Sequence, residues 1–351
     1  MNPQIAVVAV GARTPVGSTA ETSAAAVRAG ISRYAEYPFI DPRGELVVVA
    51  ADRLLDSRIE GRDRLVPMAE SAFAQVLAKL GDEAAHEGRL RVLLALPETR
   101  PGFSEDDAAW VTDALMAFFR TNSTSVRVEI AGRGHAGVIR AVELAAWECS
   151  KGSDNLFLVA GVDSYHHAET FAWLERNRRF AQPGIRGGFT PGEGAGCLAI
   201  ASTRLRVRLR LPQLAIVRGV CTAQENLLRD SDTGSFGAGM TQAIKGAIAG
   251  LELPREGLDL LYSDINGERY RSEEWGFAVL RTPSVWKSPR YRAPSDCWGD
   301  TGAALGALGG ILAVQAFARG YARSPRAMVL AGSDGGLRGA MLLQDPRLSK
   351  E

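Results

Sequence analysis

Apolar residues follow two patterns along the chain: short continuous runs typical of strands, and longer stretches with the spacing of a helix. Three segments predict strands, at residues 126–130, 156–160 and 197–201. Between the first two, residues 138–149 place their apolar side chains on one face, which predicts a helix. A glycine-rich loop, residues 188–196, precedes the third strand. His135 lies where the turn after the first strand becomes the helix, so it is placed at a helix N-terminus, where free backbone N–H groups collect.

The same order of elements occurs again near the C-terminus. Gly299-Asp300-Thr301-Gly302 opens a helix of small residues predicted over 303–318. A strand at 327–330, the loop Gly335-Gly336 and a strand at 340–343 follow it. Repeated units that cannot bury their own faces are expected to pack on each other. If the two halves pack about a pseudo-twofold axis, His135 and Asp300 lie at equivalent helix N-termini and meet at the centre.

The remaining pattern predicts an α/β protein with mostly parallel sheets, because strands and helices alternate along the chain. Further strands are predicted at residues 5–10, 92–96, 214–217 and 258–262, and further helices at residues 20–29, 68–80 and 239–251. A capping box at Ser104 predicts a helix that runs to Phe119. Residues 204–211 alternate arginine with apolar residues, which predicts a half-buried strand or sheet edge. We place the boundary between two halves, residues 1–205 and 206–351, at this segment.

Composition excludes several classes of protein. The 351 residues are 46% hydrophobic and 23% charged, with a formal net charge of +1, so bulk charge does not favour nucleic acid. No apolar run reaches the roughly 18 residues of a membrane span. Four scattered cysteines without a CxxC pair indicate neither a zinc site nor a disulfide framework, as expected for a cytoplasmic protein. The first strand, loop and helix lack GxGxxG, so no dinucleotide cofactor is predicted.

The order of these motifs resembles the β-ketoacyl synthase branch of the thiolase superfamily. Gly188-Phe189 followed by Gly192-Glu193-Gly194-Ala195-Gly196 is the most specific match, and Thr14-Pro15-Val16-Gly17, Ala160-Gly161 and Gly335-Gly336 are also similar. The resemblance implies a duplicated thiolase-like fold, layered α-β-α-β-α, with two mixed sheets and a pseudo-twofold axis. It also implies a homodimer, or a pair with a related subunit, whose seam includes the strand at 126–130.

The residues that carry the family's chemistry are replaced in this sequence. Condensing members of the family use a cysteine nucleophile and two histidines; the matching positions here are His135, Asn266 and Asp300. An imidazole cannot hold a lasting thioester, and a carboxylate would repel a developing enolate. Losing one such hydrogen-bond donor typically costs about 2.7–4 kcal/mol of transition-state stabilisation. The resemblance therefore implies a protein without condensing activity.

Three interpretations of this altered site stay open. In the first, the chain is a non-condensing partner or scaffold that binds an acyl carrier protein or acyl-CoA. In the second, His135 and Asp300 form a dyad, with Asn266 orienting a carbonyl, and the chain is an acyl-thioester hydrolase or acyltransferase. In the third, Cys297, three residues before Asp300, is a displaced nucleophile, although a buried inert thiol is commoner.

Other polar motifs favour structural roles. Tyr165-His166-His167-Ala168-Glu169 contains possible metal ligands, but adjacent histidines project differently, so a polar loop without metal is favoured. Glu193 in the glycine-rich segment is expected to anchor the loop by hydrogen bonds. Arg133, close to His135, either contacts a carrier or partner or neutralises a neighbouring acid.

Overall fold

A computed structural model describes most of the chain. The described residues are 5–40, 44–82, 84, 89–121, 126–182, 185–231, 234 and 236–350. The strands are β1 (Ile5–Arg13), β2 (Tyr34–Ile40), β3 (Leu46–Ala50), β4 (Leu90–Leu96), β5 (Arg127–Arg133), β6 (Leu156–Ser164), β7 (Glu193–Ser202), β8 (Ala215–Gln224), β9 (Leu261–Tyr262), β10 (Arg326–Gly332) and β11 (Leu337–Gln344). The helices are α1 (Ala20–Arg28), α2 (Arg62–Leu80), α3 (Glu105–Thr121), α4 (Gly137–Ser150), α5 (Ala168–Arg176), α6 (Thr203–Arg208), α7 (Ala238–Ala247), α8 (Arg269–Arg281), α9 (Ser295–Trp298) and α10 (Leu305–Ala318). Short 3₁₀ turns cover Pro283–Val285, Gly302–Ala304 and Pro346–Lys350.

The strand order confirms the duplication. Nine strands follow the order β5-β4-β6-β7-β1-β8-β11-β10-β9. Each half has the same arrangement when it is followed outward from the middle of the sheet. The order in the first half is β1, β7, β6, β4, and the corresponding order in the second half is β8, β11, β10, β9. In both halves the successive pairings are antiparallel, antiparallel and parallel. The prediction of mostly parallel sheets was therefore wrong, because the inner strands of each half pair antiparallel. The sheets of the two halves are joined where β1 pairs with β8 over three residues, so they form one continuous hydrogen-bonded sheet.

Three apolar clusters show that the layers follow the predicted α-β-α-β-α order. The central cluster contains α4 and α10 together with one face of β1, β6 and β7 and one face of β8, β10 and β11. The opposite face of the first half packs against α2 and α3. The opposite face of the second half packs against α7 and α8. Because α10 lies in the middle layer, every side of it is covered, and residues 305–317 are all buried.

Glycines permit the close approach of the middle helices to the strands. A Cβ at Gly161 in β6 would lie 2.2 Å from the carbonyl oxygen of Ala303, at the start of the second central helix. A Cβ at Gly306 in α10 would lie 2.8 Å from Cβ of Val138 in α4. Any larger residue at these positions would push the central helices away from the sheet or from each other.

The prediction of a strand at residues 204–211 was wrong. Residues Thr203–Arg208 form the helix α6, because the Ser202 side chain accepts a hydrogen bond from the backbone N–H of Leu205 and caps the helix. Leu205 is buried and Leu209 is half-buried against the α2 side of the first half, whereas Val207 is 60% exposed. The segment therefore has both the alternation of a strand and, in Leu205 and Leu209, the i, i+4 apolar spacing of a helix. The hydrogen bond to Ser202 favours the helix.

The other predicted elements are present with shifted ends. The capping box at Ser104 is confirmed, since the side chains and backbone of Ser104 and Asp107 exchange hydrogen bonds. The strand predicted at 258–262 is reduced to Leu261–Tyr262. No helix in the described ranges is both long enough and apolar enough to cross a membrane.

Candidate functional site

The starts of the two central helices meet as the duplication predicts. His135 lies in the turn between β5 and α4, after Gly134 at a φ of 65°. Asp300 follows Gly299, at a φ of 71°, in the turn that leads towards α10. Nε2 of His135 lies 2.8 Å from Oδ1 and 3.0 Å from Oδ2 of Asp300. Both side chains are buried, with residue exposures of 3% and 2%.

Asn266, the third predicted site residue, contacts the same carboxylate. Its Nδ2 donates to Oδ2 of Asp300 at 2.5 Å, and its Oδ1 accepts from the backbone N–H of Glu268 at 3.0 Å. The backbone N–H of Gly302 donates to Oδ1 of Asp300 at 2.8 Å. Asp300 therefore accepts hydrogen bonds from a ring nitrogen, a side-chain amide and a backbone amide, and both of its oxygens are occupied.

Each member of the pair favours the charged form of the other. Burial disfavours charge on His135, but the Asp300 carboxylate outweighs burial and raises the pKa of the imidazole above its ordinary value. Burial likewise opposes charge on Asp300, but His135, Arg271 and the Gly302 amide hold the pKa of this carboxyl well below its ordinary value. Because a carboxylate only accepts, the Nε2 that faces Asp300 carries a hydrogen and is not the ring nitrogen that could act as a general base.

Two arginines that the sequence analysis did not single out extend the site. Arg271 of α8 donates from Nη1 to Oδ2 of Asp264 and to the backbone oxygen of Gly332, and its Nη2 lies 3.4 Å from Nε2 of His135. Arg179 donates from Nε to Oε1 of Glu268 at 2.7 Å and from Nη1 to Oδ2 of Asp334 at 2.6 Å. We define the central charged cluster as His135, Arg179, Asp264, Asn266, Glu268, Arg271, Asp300 and Asp334.

A weak sequence signal pointed to this cluster. Asp264, Asn266 and Glu268 alternate in the loop after β9, where strand ends of α/β sheets commonly place ligand-binding residues. Buried carboxylates need cationic partners, so such a loop indicates that arginines lie nearby. The partner Arg179 is 89 residues away from Glu268 along the chain, and local pattern does not identify it.

The last glycine loop closes the cluster on one side. Oγ of Ser333 accepts from the backbone N–H of Ala136 at 3.0 Å and donates to the backbone oxygen of Arg133 at 3.1 Å. The carboxylate of Glu98 accepts from the backbone N–H groups of Asp334 and Gly335. The loop is thus tied to both sides of the turn that carries His135.

Side chains occupy the space around His135. Tyr165, 4% exposed, brings its hydroxyl to 3.5 Å from Oδ1 of Asp300, and the side chain of Arg271 is 1% exposed. Among the cavities in the described part of the chain, five of about 290 to 810 Å³ have neither His135 nor Asn266 nor Asp300 in their linings. None of these five cavities therefore forms a tunnel through which an acyl chain could reach His135.

The histidine pair after β6 has structural contacts. His166 is fully buried beside Glu193, and burial lowers the pKa of its imidazole to about 4. Nδ1 of His167 accepts from the backbone N–H of Glu169 and caps α5. Within the described residues, no three histidine, cysteine, aspartate or glutamate side chains are grouped to hold a metal ion.

Glu193 anchors the glycine-rich segment as predicted. Its carboxylate accepts two hydrogen bonds of 2.7 Å from Arg64 and one of 2.7 Å from the backbone N–H of Asp52. Arg133 pairs with Glu105 at 2.5 Å, in agreement with the prediction that it neutralises an acid. Burial raises the pKa of the Cys297 thiol, which disfavours the thiolate that a displaced nucleophile would need.

Comparison with known proteins agrees with this architecture. No model of a protein family matches the chain. It is 29% identical, over 191 residues, to the pikromycin polyketide synthase component PikAIII of Streptomyces venezuelae; the match covers 51% of this chain and only 12% of that protein.

Solved structures of ketosynthases superpose on nearly the whole chain. A type II polyketide synthase acyl-carrier protein in complex with its ketosynthase (AntDE:AntF) gives a TM-score of 0.76 at 13% identity, covering 98% of this chain and 99% of that one. A β-ketoacyl synthase from Burkholderia phymatum gives 0.76 at 15% identity, with coverage of 98% and 99%. The ishigamide ketosynthase/chain length factor gives 0.71 at 19% identity, with coverage of 97% and 99%. The chain therefore has the thiolase-like fold of the ketosynthases.

Proposed function

We propose that this protein is a non-condensing, ketosynthase-like subunit that works as a partner or scaffold beside a related subunit or an acyl carrier protein. The observation that carries the proposal is the buried ion pair between His135 and Asp300, which lies at the position that the resemblance assigns to the nucleophile. Neither side chain can form a thioester there. The structural relatives include a ketosynthase in complex with an acyl-carrier protein and a ketosynthase/chain length factor, which supports a role in polyketide or fatty-acid assembly.

The surroundings of the pair disfavour the hydrolase and acyltransferase interpretation. A general base needs a free nitrogen within reach of water or an acceptor alcohol. His135 is 3% exposed, and its Nε2 donates to Asp300 and lies 3.4 Å from Nη2 of Arg271, so this nitrogen is not available to water or an acceptor alcohol. Asn266 donates to Asp300 and so does not present its amide to a substrate carbonyl.

The free edge of the first half supports a subunit role. β5 ends the nine-stranded sheet, so the backbone groups on one side of it are not paired by another strand of that sheet. Ile130 on this strand is 37% exposed, and the two helices that contact β5 also carry exposed tryptophans, Trp110 on α3 at 39% and Trp147 on α4 at 58%. An edge of this kind suits pairing with a second copy or a related subunit.

Two measurements test the proposal. The protein is incubated with acyl and malonyl thioesters, on coenzyme A and on carrier protein, while free thiol and β-ketoacyl product are followed. We expect neither above the level of a protein-free control. Product or thiol release that disappears in His135→Ala would overturn the non-condensing role.

Sedimentation velocity tests the subunit role. We expect a dimer that dissociates in Ile130→Arg, whereas Leu280→Arg, which replaces a side chain 76% exposed on α8, leaves it unchanged. A wild-type protein that is monomeric alone and also fails to bind a co-expressed ketosynthase subunit would contradict the partner role.

A further inference from the structure

A cavity of about 290 Å³ lies at the other end of the sheet, beside the short edge strand β9. Its lining consists of Asp259, Leu260, Leu261, Tyr262, Arg290, Tyr291, Arg292, Ala316, Tyr321, Ala322 and Arg323. It shares no residue with the central charged cluster. Any ligand held there would therefore be bound independently of the function proposed above.

Positive charge is concentrated around this cavity. Arg290, Arg292 and Arg323 are exposed, and none of the three forms an ion pair with another described residue. Asp259 is the only acid in the lining. In a chain whose formal net charge is +1, three unpaired arginines at one cavity form a local excess of cations.

Two further arginines lie next to the cavity but have an explanation within the fold. Arg28 is placed with its guanidinium 4.3 Å from the ring centroid of Tyr321, and Arg319 follows the last residue of α10. Both stand at the C-terminal ends of helices, where the helix dipole favours cations. Arg290, Arg292 and Arg323 lie outside the helices, so this explanation does not apply to them.

Tyrosines provide the remaining polar groups of the wall. Tyr262 is 4% exposed, and burial raises the pKa of its phenol, so the hydroxyl keeps its proton and can donate. The pKa of Tyr321 is raised by burial as well. Tyr291, also in the lining, is 43% exposed. The wall thus combines hydrogen-bond donors and cations with aromatic surface.

This combination selects for a particular chemistry. Arginine forks bind phosphate through paired, charge-assisted hydrogen bonds, and phenol hydroxyls can donate to the remaining oxygens. Exposed aromatic rings favour an organic group next to the anion. The volume is close to the lower end of the roughly 300–1,000 Å³ of small-molecule sites. We propose that this cavity binds a phosphate-bearing organic anion, with its phosphate held by Arg290, Arg292 and Arg323 and its organic part against Tyr291 and Tyr321.

Isothermal titration calorimetry on the full-length protein tests the proposal. The probes are ADP and pyrophosphate, as free phosphates, and a phosphoserine peptide, as a phosphate carried by a protein; sodium sulfate at matched ionic strength is the competitor control. We expect saturable 1:1 binding of at least one probe in the presence of sulfate. A stronger response to ADP than to the peptide assigns a free phosphorylated ligand, and the reverse assigns a phosphorylated partner.

Matched variants decide whether binding occurs at this cavity. We expect Arg290→Glu/Arg292→Glu, and separately Arg323→Glu, to weaken binding at least about tenfold, because each removes a charge-assisted hydrogen bond. Arg186→Glu, an exposed arginine outside the lining, should leave the affinity unchanged. Absence of saturable binding of all three probes, or an equal loss in Arg186→Glu, would overturn the proposal. Circular dichroism confirms that each variant is folded.

Discussion

Replacing Asp300 by asparagine tests whether the centre of the molecule is held by an ion pair. The carboxylate contacts His135 through both oxygens and also accepts from Asn266 and Gly302. Removing one partner of a buried ion pair typically costs about 3–5 kcal/mol. The isolated imidazole can escape part of this cost by losing its proton, since the ordinary pKa of histidine is about 6.5. We therefore expect Asp300→Asn to lose about 3 kcal/mol, near the lower end of that range.

The pH dependence of the free energy of unfolding tests the same ion pair in a second way. The pKa of His135 is raised in the folded protein, so the stability that its protonation contributes is complete below the unfolded pKa and is lost as pH rises through the folded value. The pKa of Asp300 is lowered, so its contribution is present above its unfolded pKa of about 3.9 and is lost as pH falls through the folded value. The difference between wild type and Asp300→Asn should therefore be largest between about pH 4 and 6.5 and should shrink in alkali.

Urea unfolding followed by circular dichroism at pH 6, 7.5 and 9 measures both effects. Asp113→Asn, at an exposed position on α3, is the matched control and should change the free energy of unfolding by less than about 0.5 kcal/mol. An Asp300→Asn protein within about 1 kcal/mol of wild type at pH 6 would refute the reasoning. A difference that stays the same from pH 6 to 9 would show that His135 is not protonated in the fold.

Three further changes test other parts of the structure. His135→Cys should not restore β-ketoacyl product in the thioester assay, because a carboxylate remains opposite the thiol; product formation would contradict this. Glu193→Gln should destabilise the fold by about 3–5 kcal/mol in urea unfolding, because it leaves Arg64 buried without its ion-pair partner, and an effect under about 1 kcal/mol would contradict the anchoring role. Gly161→Ala should cost about 1–3 kcal/mol through overcrowding, whereas Gly250→Ala, with open space around it, should not; equal effects of the two would show that the backbone relaxes.

The sequence carried most of the fold because the signals are local and occur twice. Apolar runs predicted the central strands, and helical spacing predicted α4 between β5 and β6. Glycines next to His135 and Asp300 indicated turns that open helices, and the positive φ of Gly134 and Gly299 agrees with that. Duplication then predicted that the two helix starts meet, and His135 and Asp300 lie 2.8 Å apart.

The sequence pattern gave a wrong secondary structure where the same residues fitted both a strand and a helix. Residues 204–211 satisfied both a period-two strand and an i, i+4 helix, and the hydrogen bond from Leu205 to Ser202 selected the helix. The joining of the two sheets through β1 and β8 likewise depends on how the halves approach each other. The apolar pattern of one strand does not predict how the two halves pack together.

By itself, the sequence predicted that an imidazole and a carboxylate lie together where the two central helices begin. Only the tertiary structure decided that this pair is sealed, because the seal is made by Arg179, Arg271 and the loop of Ser333, which come from distant segments. Charges far apart along the chain become partners when burial removes water and leaves each ion to be satisfied by another. Which charges pair depends on the folded arrangement, so the spacing of residues along the sequence does not predict it.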